Sequence, residues 1–100
     1  MSGPRHDLIV TDGPGEVISV TNDTALYMDV LYASVTAPTV TKIEVYLGER
    51  LHEVVFAGNG GSHSWWLNAG GKLLDHNGLD PGQTMRIVSD GPCALRLDWI

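Results

Sequence analysis

The chain reads as an all-β protein, an antiparallel β-sandwich (jelly-roll or immunoglobulin-like) of roughly seven to nine short strands. Three observations predict it. Apolar residues recur at period two rather than 3.6. Turn residues interrupt the chain every ~8–12 residues. No stretch offers an amphipathic helix of three turns.

Taken in order, Leu8–Thr11 and Val17–Asn22 are strand-sized pieces separated by Asp12-Gly13-Pro14-Gly15. In Leu26–Val35 one alternating set is Leu26, Met28, Val30, Tyr32 and the other is Tyr27, Asp29, Leu31, Ala33. The second set is mixed, so this strand is either covered on both faces or lies at a subunit contact. Thr41–Leu47 is cleaner, with Ile43, Val45 and Leu47 on one face and Lys42, Glu44 and Tyr46 on the other. Leu51–Ala57, Ser64–Asn68 and Thr84–Ser89 follow as strands, and residues 69–80 read as a loop. The last strand places Cys93, Leu95, Leu97 and Trp99 inward and Ala94, Arg96 and Asp98 outward. Ile43, Val45, Leu47, Ile87, Leu95 and Leu97 are the expected core. Pro81-Gly82 fits the centre of a type II turn, where Pro fixes the first φ and Gly supplies the positive second one.

With 100 residues, 43% of them hydrophobic, the chain is one domain's worth and can bury a core. Residues 1–7 are expected to form a mobile arm and residues 8–100 a single sandwich domain. Twelve acidic against six basic residues give a net charge of −6, which argues against nucleic acid or an anionic membrane as partner. The single Cys93 cannot close an internal disulfide. Met1–Asp7 has no apolar h-region behind a basic start, so no secretory signal peptide and cytoplasmic synthesis are expected. No apolar run approaches the ~18 residues of a membrane span. Asn22-Asp23-Thr24 matches a glycosylation sequon and is expected to be a turn.

The residues offer little reaction chemistry. His6, His52, His63 and His76 stand apart at no metal-ligand spacing, so imidazoles in loops or hydrogen bonds are the expectation rather than zinc. Asp75–Asp80 faintly resembles the start of a calcium loop, yet Pro81-Gly82 follows where further oxygen ligands belong. Gly58-Asn59-Gly60-Gly61-Ser62 precedes a strand rather than a helix, so it reads as a hairpin loop and not a phosphate cradle. Ser62, Ser64, His63 and Asp75 are triad residue types without a nucleophile elbow. No catalytic residue, cofactor, metal or small-molecule substrate is expected.

Trp65-Trp66 is the most informative local feature. Neighbours in a strand face opposite ways, so one indole points to the core and one away. The outer one could stack on a sugar, anchor a protein interface, or lie beneath the 69–80 loop. The candidate interface set is Trp65, Trp66, Tyr27, Tyr32, Trp99 and Ile100.

The order Val40–Leu47, Trp66-Leu67-Asn68, Gly71-Lys72-Leu73-Leu74, Gly78–Ser89 and Ala94-Leu95-Arg96-Leu97 resembles small β-sandwich proteins of tailed-bacteriophage virions. The resemblance covers roughly residues 16–100 and is one of strands and turns. Gln83 departs from it where an acidic residue is common, as does the Trp65-Trp66 pair. It implies a non-enzymatic structural protein of a phage particle, synthesised and assembled in a bacterial cytoplasm. A capsid decoration protein is the leading expectation, with a neck or tail/fibre component as the alternative. Implied partners are further copies of the chain or other virion proteins such as the major capsid protein. A carbohydrate-binding module using Trp65 or Trp66 is the competing reading.

Overall fold

A computed structural model describes residues 5–37, 42–57, 61–66 and 78–99; the side chains of residues 55–57 and 61–66 lie outside the description. Among the described residues there are nine strands: β1 (Arg5–Thr11), β2 (Gly15–Thr21), β3 (Met28–Ala37), β4 (Lys42–Leu47), β5 (Arg50–Ala57), β6 (Gly61–Trp66), β7 (Gly78–Leu79), β8 (Thr84–Ser89) and β9 (Cys93–Trp99). They form two antiparallel sheets. One is ordered β1-β9-β3-β6, with the two-residue β7 pairing with the start of β3, and the other is ordered β2-β8-β4-β5.

The pairing is nested. β1 meets β9, β2 meets β8, β3 meets β6, and β4 meets β5. A long hairpin rolled up on itself gives this order, which is the jelly roll. Of the two sandwich types expected from the sequence, the topology selects this one.

The core lies between the sheets. Val30, Ala33, Val35, Cys93, Leu95, Leu97 and Trp99 come from one sheet, and Val17, Val20, Ile43, Val45, Met85 and Ile87 from the other. Five of the expected core residues are fully buried, and Leu47 is half-buried. Leu47 closes β4 at the Gly48 turn, where the facing sheet no longer covers it fully.

Bulges explain where plain alternation fails. In β3 the inward phase steps from Val30 to Ala33, and the pairing with β9 shifts register between Val30 and Tyr32. One extra residue there moves the following side chains to the other face. The two alternating sets of the sequence are therefore one buried face broken by a bulge. In β2, Val17 and Val20 both point inward, beside a register shift between Glu16 and Ile18.

Three of the seven residues expected to form an arm lie in a strand instead. Arg5, His6 and Asp7 belong to β1 and pair with Trp99, Asp98 and Leu97. Ordering them is favoured by bonds that composition does not reveal. The Asp7 carboxylate accepts from the Trp99 indole at 3.2 Å and from Arg5 Nε at 3.0 Å. Residues 1–4 and Ile100 lie outside the described residues.

Gly82 has φ of 85°, and Gln83 N donates to Asp80 O at 3.0 Å, which closes the turn around Pro81-Gly82. A Cβ at Gly82 would meet open space, so a substitution there is resisted by backbone strain alone. Gly82→Val is expected to destabilise the domain by about 1–3 kcal/mol in a thermal melt. A melt identical to the parent would contradict the positive φ.

Candidate interaction surface

The turn at Asp80–Gln83 is docked on Asn22. Asn22 N donates to Gln83 O at 2.9 Å, and Gly82 N donates to Asn22 O at 2.8 Å. The Asn22 side chain is fully buried. Its Nδ2 donates to Leu26 O at 2.7 Å and to Leu79 O at 2.8 Å, while Oδ1 accepts from Thr24 N at 3.0 Å. Both amide hydrogens are thus committed, and Asn22-Asp23-Thr24 is a turn, as expected.

The candidate interface residues separate on inspection. Trp99 is 2% exposed and belongs to the core, so it is removed from the set. The same alternation that puts Leu95 and Leu97 inward puts Trp99 inward, and Asp7 takes its one polar atom. Tyr27 is partly exposed, yet its ring packs over Gly78 of the same chain: a Cβ on Gly78 would strike the Tyr27 ring and the Met28 carbonyl. Burial, and then the charges of Asp29 and Asp80, hold the Tyr27 phenol above its ordinary pKa. Tyr32 is half-buried on the outer face of its sheet, with the Arg96 guanidinium 5.1 Å from the ring centroid. The backbones of Trp65 and Trp66 lie in β6, opposite Ala33 and Tyr32 respectively. Their side chains lie outside the described residues.

Register builds the outer face of the β1-β9-β3-β6 sheet row by row. His6, Asp98 and Tyr32 form one row, Leu8, Arg96 and Ser34 the next, and Val10, Ala94 and Thr36 the third. In the first row His6 Nδ1 lies 2.9 Å from Asp98 Oδ1, and Arg96 donates to Asp98 Oδ2 at 2.8 Å. The hydrogen bonds from His6 and then from Arg96 hold the Asp98 carboxyl below its ordinary value of 3.8. A lowered carboxyl stabilises the fold above its unfolded pKa and loses that contribution as pH falls through the folded one. Asp98→Asn is therefore expected to flatten the loss of stability below about pH 4. Melts of parent and variant between pH 2 and 7 check this. An unchanged acid limb would show that Asp98 is not a contributor.

Beyond that polar row the sheet ends in exposed apolar groups. Leu8 and Val10 on β1 are 76% and 73% exposed. Val10 also borders a shallow cleft of about 200 Å³ with Thr36, Pro92 and Ala94. On the opposite sheet, Leu51 and Val54 of β5 are exposed as well. Sequence reasoning missed Leu8 and Val10. Leu8-Ile9-Val10 is a continuous apolar run, which gives no contrast between faces; only the pairing with β9 shows that Ile9 goes in and its neighbours go out.

The reaction chemistry can be placed only in part. Among the described residues no three His, Cys, Asp or Glu side chains gather as a metal-ligand set. Half of the Asp75–Asp80 segment, residues 75–77, lies outside the described residues, as do the side chains of Ser62, His63 and Ser64. No protein-family model, curated protein or solved structure matches the chain.

Proposed function

We propose that this chain is a non-enzymatic structural module that works by attachment to a protein assembly, most specifically as a decoration protein of a tailed-phage capsid. The observation that carries the reading is the placing of exposed aliphatic side chains on sheet edges. Leu8 and Val10 line β1, and Leu51 and Val54 line β5. Scattered apolar residues on a surface need no explanation, but aliphatic pairs repeated along open edges mark interaction sites. The net charge of −6 suits a partner with a basic surface. The virion assignment draws on the strand-and-turn resemblance. The jelly roll is also the fold of viral capsid and lectin domains, an argument by analogy alone.

Mass spectrometry of purified particles from a lysate carrying the coding sequence tests the proposal. The chain is expected in the particles at a fixed copy number relative to the major capsid protein. Its absence from particles while it is abundant in the lysate would overturn the virion reading. Deleting residues 1–7 is not a clean probe, because it removes three register pairs of β1 and the Asp7–Trp99 bond.

Carbohydrate binding has one observation in its favour. Trp66 holds the β6 position opposite Tyr32, in the row that continues through Asp98 to His6. A Trp position registered with a Tyr, in a row that also holds charged hydrogen-bonding residues, is the composition a sugar platform needs. A glycan array probed with the parent and with Trp66→Ala distinguishes this reading from attachment to protein.

A further inference from the structure

The three edge strands with described side chains differ in a way that singles out β1. β2 carries a register shift against β8, and β5 carries two against β4. Bulges of this kind twist an edge and obstruct further pairing. β1 has none: it runs in unbroken register with β9 from Arg5↔Trp99 to Thr11↔Cys93. No described strand pairs with its other side. A regular seven-residue edge flanked by two highly exposed aliphatic side chains is the geometry that accepts another strand.

Asp7 is the charge nearest the middle of this edge, and an inward charge blunts strand pairing. It is already neutralised within its own chain. Arg5 Nε and Trp99 Nε1 both donate to its Oδ2, and its side chain is only 15% exposed.

We infer that β1 pairs antiparallel with β1 of a second copy of this chain, joining the two β1-β9-β3-β6 sheets across a two-fold axis. The sequence of β1 is what names the occupant. In a two-fold antiparallel pair, residues facing each other must share a sheet face, so the register can centre only on one residue. Centring on Leu8 sets Asp7 opposite the partner's Ile9 and His6 opposite the partner's Val10, which places polar groups against apolar ones. Centring on Ile9 sets Leu8 against the partner's Val10 twice over, and Asp7 against the partner's Thr11. That register joins the four most exposed aliphatic groups into one outer patch beside the Val10 cleft and leaves Arg5 and His6 beyond it. The strand matches itself best in this single arrangement.

The inference extends the attachment reading by naming the chain itself as one partner. Sedimentation equilibrium of the full chain tests it, with Leu8→Lys and Val10→Lys as probes and Leu51→Lys on β5 as the control. The parent is expected to be a dimer. Each β1 variant should stay folded, because both side chains are exposed, and should weaken the dimer about 100-fold or more; the control should not. Oxidising a mixture of Leu8→Cys and Val10→Cys chains should give the mixed disulfide in preference to either homodimer, which fixes the register. A parent that stays monomeric at millimolar concentration overturns the inference, as does a dimer that both β1 variants leave intact. A monomer found in purified particles would overturn this inference alone, and a β1-dependent dimer absent from particles would overturn the virion reading alone.

Discussion

Trp99→Ala is expected to destabilise the domain by about 3–5 kcal/mol, the range for truncating a buried Trp. Trp99 is 2% exposed and sits at the end of β9, where β1 and β3 both pair with it. Removing the indole opens a cavity between the sheets and leaves the Asp7 carboxylate with Arg5 Nε as its donor in place of two. At this chain length the loss corresponds to roughly 4–8 °C in Tm per kcal/mol. Trp99→Phe is the informative companion, since it keeps most of the packing and loses only the indole N–H. A thermal melt of the two variants separates these contributions. If Trp99→Ala melted within a few degrees of the parent, Trp99 would not be a core residue.

Asn22→Ala is expected to destabilise the domain clearly as well, although it removes a small polar side chain. Leu79 O would lose its donor in a buried setting, and the part-buried Leu26 O would keep only Thr24 Oγ1. At ~1–3 kcal/mol for an unsatisfied buried group, the cost is roughly 1–3 kcal/mol from Leu79 O, with smaller losses at Leu26 O and at Thr24 N. Asn22→Asp gives the decisive comparison. It keeps the size of the side chain and its acceptor for Thr24, but sets a second oxygen against the two carbonyls. Both variants should lower the denaturant midpoint. If Asn22→Asp matched the parent, the Nδ2 bonds would not be what holds the 22–27 loop to β7.

The sequence shows the two cleanest strands well. Ile43 and Val45 in β4, and Leu95 and Leu97 in β9, alternate with polar residues and are buried as that alternation requires. β3 could not be read the same way, because its bulge after Val30 shifts the phase in mid-strand. A bulge depends on the partner strand and leaves little local trace. The choice between jelly roll and immunoglobulin-like order was also hidden, since it rests on pairings such as β1 with β9 that span the whole chain. The sequence places Asn22 in a turn. Its role depends on Leu79 and Gln83, about sixty positions away.

The interaction surface was legible only in kind. Large aromatic groups in excess of a thin core suggested a contact surface, and Trp99 was counted among them although its own alternation placed it inside. Leu8 and Val10 were passed over because an apolar triplet hides which residue faces in. Aromatic content marks candidates for contact, but only register decides which side chains a core has already used.

Amide hydrogen exchange along β1, measured at low and high protein concentration, tests most directly the claim that the chain works through this free strand edge. In a strand paired on one side only, alternate N–H groups face outward and exchange readily. The account predicts that these β1 amides become protected as concentration rises, approaching the protection of β9, while the amides of β5 do not change. Outward-facing β1 amides that exchange equally fast at every concentration, with β9 protected throughout, would contradict it.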